Sequence, residues 1–185
     1  MIRLFTAIEI PSHIRAALSR LQQGLPGARW IEPENFHITL CFIGEVSEDV
    51  ASDIDETLAG LDDDAFDLHL TGLGQFGNDK PRALWAGVSD SPDLRALQAH
   101  QEAALKRIGL RLERRKYTPH VTLARFNQIE PATVWRFIES NNLFETLPFR
   151  VTRSVLFSSR LSQGGGPYVA ERLYDLTDRA PEESD

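Results

Sequence analysis

Two hydrophobic periods alternate along this chain, and together they outline its elements. A period of two marks strands over 3–10, 37–43, 66–76, 82–88, 119–126, 149–159 and 167–176. Phe66, Leu68 and Leu70 alternate with polar residues, as do Phe149, Val151, Val155 and Phe157. A helical period begins at Ser12, which is placed to cap a stripe of Ile14, Ala17, Leu18, Leu21 and Leu25. Ser47, followed by Glu48 and Asp49, opens a second helix with Val50, Ile54, Leu58 and Leu61 inward. Ser91-Pro92-Asp93 supplies a cap, a first-position proline and an acidic first turn. Leu94, Leu97, Ala104, Leu105 and Ile108 follow at helical spacing, and Gly109 ends the run. Pro131 starts a fourth helix expected to bury Val134, Ile138 and Trp135. Gly77-Asn78 and Gly164-Gly165-Gly166-Pro167 read as hairpin connections.

The order of these elements repeats. Strand, helix, strand, helix, strand runs from 3 to 76 and again from 82 to 159, with a closing strand at 167–176. Phe66 corresponds to Phe149 and Leu68 to Val151 at one constant offset, 83 residues. Identity between the halves is slight, so the repeat is one of architecture. Each unit has one apolar sheet face to cover with helices. The expected fold is therefore α+β and bilobal: a pseudo-twofold duplicated unit with antiparallel sheets facing a central cleft and helices outside. Residues 1–178 form one two-lobed domain on this reading, and 179–185 a disordered acidic tail.

Composition narrows the class. The chain has 185 residues, of which 42% are hydrophobic and 25% charged, as in ordinary globular proteins. Cys41 is the only cysteine, which excludes a disulfide framework and a thiolate zinc cluster. No apolar run approaches the roughly 20 residues of a membrane span. Met1-Ile2-Arg3 leads into a strand rather than a signal peptide, so the expectation is a cytoplasmic monomer without membrane contact. A net charge of −7 argues against broad non-specific affinity for nucleic acid. Against that background Lys106, Arg107, Arg111, Arg114, Arg115 and Lys116 form a basic stretch, either a solvated helix end or a phosphate-attracting rim.

The candidate chemistry lies at the same offset as the repeat. His37-Ile38-Thr39-Leu40 and His120-Val121-Thr122-Leu123 are 83 residues apart, in a chain with five histidines. On a strand, His and Thr two residues apart share a face. Each motif strand thus presents an imidazole and a hydroxyl, and two facing strands give a symmetric pair. Imidazole titrates at roughly 6.5, so one ring can be neutral while the other is protonated. Displacement at phosphorus uses that division: a base for the attacking water and an acid for the leaving oxygen. The Thr39 and Thr122 hydroxyls can hold the non-bridging oxygens. Two histidines with no neighbouring Cys or carboxylate motif make a poor zinc site, and no metal or cofactor is expected.

The chain resembles the two-histidine phosphoesterase superfamily, whose signature is a duplicated His-x-Thr-x on facing strands of a bilobal α+β fold. Within it the chain looks most like the bacterial RNA 2′,3′-cyclic phosphodiesterases, the 2′–5′ RNA ligase-like proteins. The segments that carry the likeness are Arg3–Ile8, Asn35–Leu40 with Gly44-Glu45-Val46, Pro81–Trp85, Pro119–Arg125, and Ser158-Ser159 before Tyr168. The resemblance implies hydrolysis of RNA or nucleoside 2′,3′-cyclic phosphates to 2′-phosphomonoesters, with reverse 2′–5′ ligation. It implies His37 as proton donor and His120 as proton acceptor, a choice the residues themselves leave open. It also implies Arg125 as a phosphate contact, although strict strand parity puts Arg125 opposite His120 unless the strand bulges. The chain lacks a GxxxxGK[ST] loop, which agrees with a nucleotide-independent reaction.

Alternatives on the residues alone are another small cyclic phosphate, such as one on ADP-ribose, or a non-catalytic module that binds RNA ends. Trp85, Phe5, Phe42 and Tyr168 are either core or stacking platforms for a base. His13 reads as solvated, His69 as facing away from the motif side and His100 as packing. Cys41, on Thr39's side by parity, reads as a small buried hydrophobe. The glycines at 164–166 are a hairpin turn, or less simply an anion nest.

Overall fold

The computed structural model describes residues 1–159 and 166–179. Its strands are β1 (Ile2–Glu9), β2 (Arg29–Trp30), β3 (His37–Val46), β4 (Phe66–Leu68), β5 (Leu70–Phe76), β6 (Ala83–Val88), β7 (His120–Arg125), β8 (Phe149–Val151), β9 (Arg153–Ser159) and β10 (Tyr168–Asp175). Its helices are α1 (Ser12–Ser19), α2 (Glu48–Ala59), α3 (Pro92–Arg107) and α4 (Pro131–Ser140). The architecture is α+β with antiparallel sheets. One sheet has the order β10-β9-β1-β3, another β2-β7-β6-β5, and β4 pairs with β8 in a short ribbon.

The pseudo-symmetry is visible in this order. β3, β1 and β9 of one sheet match β7, β6 and β5 of the other, so each unit's last strand lies in the other unit's sheet. The exchange explains why the predicted strands 66–76 and 149–159 each break in two. β4 and β8 pair with each other across the pseudo-twofold, Phe66 opposite Val151 and Leu68 opposite Phe149. Asp67 and Arg150, equivalent positions of the two units, face each other at its centre and form an ion pair at 3.5 Å. Beyond the breaks at His69 and Thr152, β5 joins β6 and β9 joins β1.

One apolar core runs through both sheets. It takes Ile14 and Leu18 from α1, Leu94 and Leu97 from α3, Val134 and Ile138 from α4, and Ile38, Leu40, Val121 and Leu123 from the motif strands. A smaller core holds Ile54 and Leu58 of α2 against Leu105 of α3, with Leu4, Cys41 and Leu156. Ser47 and Ser91 cap their helices as the sequence indicates, accepting hydrogen bonds from the Val50 and Leu94 amides. Ser12 does not: it is the first helical residue, Pro11 takes the cap position, and no side chain caps this end. α1 also stops at Ser19, short of the predicted stripe, and Leu25 joins the core from the following loop. Trp135 is 46% exposed rather than inward, because Val134 and Ile138, four apart, define the buried face of α4. No helix among the described residues is long and apolar enough to cross a membrane. Gly164, Gly165 and the tail from 180 onward lie outside the described residues.

Candidate active site

The two motif strands run side by side where the sheets meet. β3 is the outer strand of its sheet, while β7 is flanked by β2 and β6. Both His-x-Thr-Leu motifs therefore come from rigid elements of the fold rather than from loops. The bonds that fix the two imidazoles are also equivalent. His37 Nδ1 lies 2.8 Å from the Asn35 carbonyl, and His120 Nδ1 lies 2.7 Å from the Thr118 carbonyl, in each case two residues upstream. A carbonyl only accepts, so each Nδ1 carries the proton and each neutral ring keeps its lone pair on Nε2. The two rings share a tautomer and an anchoring geometry.

Each imidazole is also walled by aromatic rings. Phe5 stands 5.1 Å from the His37 ring and Tyr168 meets it edge-on at 5.1 Å, with Phe157 at 6.4 Å. On the other side Phe76 meets His120 edge-on at 4.8 Å, and Trp85 lies 5.9 Å away. The Trp85 indole lies against Gly74, where a Cβ would come within 2.3 Å of the ring. These apolar walls set the electrostatics. Burial pulls the His37 imidazole down from 6.5 to about 4, and the charges of His120 and Arg125 push in the same direction. Burial lowers His120 as well, again with Arg125 adding to the effect. The backbone anchors oppose both shifts without cancelling them.

A bulge in each motif rearranges the faces that strict alternation would give. In β3 the pairing with β1 steps from Thr39 to Cys41, leaving Leu40 unpaired. In β7 the pairing with β6 steps from Thr122 to Ala124, leaving Leu123 unpaired. Leu40 and Leu123 are equivalent positions, so the same motif leucine bulges in both units. A side chain helps to hold each bulge. The Cys41 amide donates to Thr6 Oγ1 at 3.1 Å. The Leu123 carbonyl accepts from the Ile31 amide at 2.9 Å and from Gln22 Nε2 at 3.2 Å.

The slip has two chemical results. Cys41 packs into the smaller core at the border of the site cavity, where burial pushes its thiol up to about 12, so it stays protonated. Arg125 turns onto the motif face and joins Thr39 and His120 in lining a cavity of about 960 Å³. Its Nε is buried without a hydrogen-bond partner. Phe42, the equivalent of Arg125 in the first unit, lines the same cavity and is 40% exposed, with the Arg3 guanidinium 5.1 Å from its ring centre. Thr122 is half-buried opposite Trp85 on β6.

The remaining sequence candidates fall elsewhere or contribute in part. Of the basic stretch, Arg115 and Lys116 reach the cavity, while Lys106 pairs with Glu102. His13 is exposed, and His69 pairs with Glu145 at 3.3 Å. His100, expected to be packing, instead bonds Asp63 at 2.8 Å through Nδ1. Phe76, Phe157 and Tyr117 escape a sequence reading of the site, because an aromatic residue in an alternating or irregular segment reads as core. Among the described residues no group of three His, Cys, Asp or Glu side chains converges to hold a metal ion.

Comparison with known proteins gives this site a family. A family model described as the 2′-5′ RNA ligase superfamily matches residues 10–162. An Archaeoglobus fulgidus protein named RNA 2′,3′-cyclic phosphodiesterase is 32% identical over 162 residues, spanning 83% of this chain and 92% of that one. An Aeropyrum pernix protein of the same name is 46% identical over 104 residues, 55% of this chain and 58% of its own length. Among solved structures, E. coli LigT in its apo form aligns with a TM-score of 0.77 at 27% identity, covering 96% of this chain and 98% of that one. TT0787 of Thermus thermophilus shares the fold at a TM-score of 0.80 and 24% identity, covering 96% and 100% of the two chains. The matched histidine motifs thus sit in a fold and a sequence context with one common origin, and the chain belongs to the 2′-5′ RNA ligase superfamily.

Proposed function

We propose that this protein hydrolyses 2′,3′-cyclic phosphates at RNA ends, or on small cyclic nucleotides, to 2′-phosphomonoesters. The observation that carries the reading is the matched histidine pair, each ring fixed as its Nδ1–H tautomer, with Arg125 brought to the cavity that His120 and Thr39 line and near enough to His37 for its charge to act on that ring. The names of the archaeal relatives support the substrate class.

In the proposed step Arg125 and the Thr39 and Thr122 hydroxyls hold the non-bridging phosphate oxygens. A bound anion would pair with the Arg125 guanidinium and neutralise a charge that otherwise adds to the depression of both imidazoles. His120 Nε2 takes a proton from water as the water oxygen bonds to phosphorus. The bond from phosphorus to O3′ breaks on the far side, and His37 Nε2 gives its proton to that oxygen. The phosphate stays on O2′, and proton exchange with solvent resets the pair. His37, at about 4 in the free protein, is neutral at pH 7. The negative charge of the bound phosphate is what raises it into its role as proton donor. Relief of strain in the five-membered ring drives the reaction without a nucleotide. A 5′-hydroxyl replacing the water gives a 2′–5′ linkage by the same step.

Phosphorus NMR of a trinucleotide with a 2′,3′-cyclic end, incubated with the protein in EDTA, tests this. The expected product is the 2′-phosphomonoester; a 3′-phosphomonoester or an unchanged substrate contradicts the proposal.

A further inference from the structure

The two histidines belong to different sheets, and no backbone ladder joins β3 to β7 among the described residues. Core packing alone would leave their spacing to the sum of many soft contacts. Among the described residues, the tyrosine ahead of the second motif makes a directed bond across this junction. Tyr117 Oη donates to the carbonyl of Thr39 at 2.9 Å, from the loop before the second motif to the middle of the first. The next residue, Thr118, supplies the carbonyl that anchors His120 Nδ1. Thr39 is thereby tied through Tyr117 and Thr118 to His120.

Three further features mark this bond as more than packing. Residues 110–119 have no regular secondary structure, and most of them are exposed, whereas Tyr117 is half-buried. Leu110 and Leu112 hold the start of the segment on the smaller core, and Tyr117 anchors its end beside the motifs. Thr39 lies on the edge strand of its sheet, next to the bulged Leu40, where the carbonyl has no strand partner on its outer side. The device is also unilateral. The position equivalent to Tyr117 in the first unit is Glu34, which is exposed. Burial pushes the Tyr117 phenol well above its ordinary 10, so it remains a donor throughout the working pH range.

We infer that Tyr117 is a positioning residue that couples the two half-sites, holding His120 in register with the His37 strand through the Thr39 carbonyl. The inference rests on the cyclic phosphodiesterase reading for its kinetic consequence, but not for its structural one. Tyr117→Phe keeps the ring and removes the bond. Its kcat on a 2′,3′-cyclic-ended trinucleotide is expected to fall about tenfold with KM within about twofold, since small displacements of a catalytic group cost rate rather than binding. In the free protein the imidazole ¹⁵N–¹H signals of His120 should shift or broaden in the variant, while core methyl signals away from the cleft stay in place. Ile138→Val, a truncation in the core remote from the cleft, controls for lost stability. An unchanged His120 signature overturns the inference, as does a kcat within twofold of wild type or a loss matched by Ile138→Val. If the wild-type protein leaves the cyclic phosphate intact yet the His120 signals respond to Tyr117→Phe, the functional reading fails and the coupling stands.

Discussion

Arg125 and His120 share one face of β7 because Leu123, between them, is bulged out of the pairing with β6. Without that slip the guanidinium would point to the opposite side of the sheet. Removing the guanidinium should cost transition-state stabilisation: Arg125→Ala is expected to lower kcat/KM on a cyclic-ended trinucleotide by about 10²-fold, the scale of a lost oxyanion donor. Phe42→Ala, at the equivalent position of the first unit, lacks that charge and should change kcat by less than about fivefold. Steady-state kinetics on the two variants checks the difference.

The depressed His37 has a signed consequence for stability. In the unfolded chain the ring protonates near 6.5, but in the folded protein only near 4, so acid favours the unfolded state across that window. The contribution is fully present above pH 6.5, declines as pH falls and is spent below about 4. By pH 5 the loss amounts to about 2 kcal/mol. Urea unfolding at pH 7 and pH 5 should therefore show a larger loss for wild type than for His37→Gln. Bound inorganic phosphate, being anionic, should move both histidine titrations upward in an NMR pH series.

Gly74 sets the wall behind His120. Because a Cβ there meets the Trp85 ring at 2.3 Å, Gly74→Ala must displace the indole or the strand. Overpacking of this kind costs about 1–3 kcal/mol. A lowered melting temperature together with altered Trp fluorescence in the folded protein would report it; a variant with wild-type values of both would rule the contact out.

The helix caps provide a contrast between three serines that look alike in sequence. Ser47→Ala and Ser91→Ala each remove a bond to a helix N-terminal amide and should cost about 1 kcal/mol. Ser12→Ala removes none and should fall within about 0.5 kcal/mol of wild type. Denaturant midpoints of the three variants separate these cases.

These contrasts indicate where the sequence was legible. The His-x-Thr-Leu pair, the Ser47 and Ser91 caps and the five-element repeat are local or periodic signals, and they appear where expected. The bulges at Leu40 and Leu123 left no mark, because a leucine is equally at home on the core face and in a buried bulge. That one-residue slip is the reason parity misplaced Arg125. The exchange of β5 and β9 between sheets was equally silent, since the order of elements along the chain is the same whether or not strands cross. Phe157 read only as an alternating strand residue and Phe76 was not singled out, because an aromatic wall around an imidazole uses the same side chains as a core.

The central claim is that His37 and His120 act as one acid–base unit, and turnover of a cyclic-ended trinucleotide by His37→Ala, His120→Ala and the double variant tests it most directly. Each single change should lower kcat by about 10²–10⁴-fold. The double change should fall within about tenfold of the weaker single variant, because groups that act as a unit are lost together. A single variant retaining kcat within about threefold of wild type, or losses that multiply in the double variant, would contradict it.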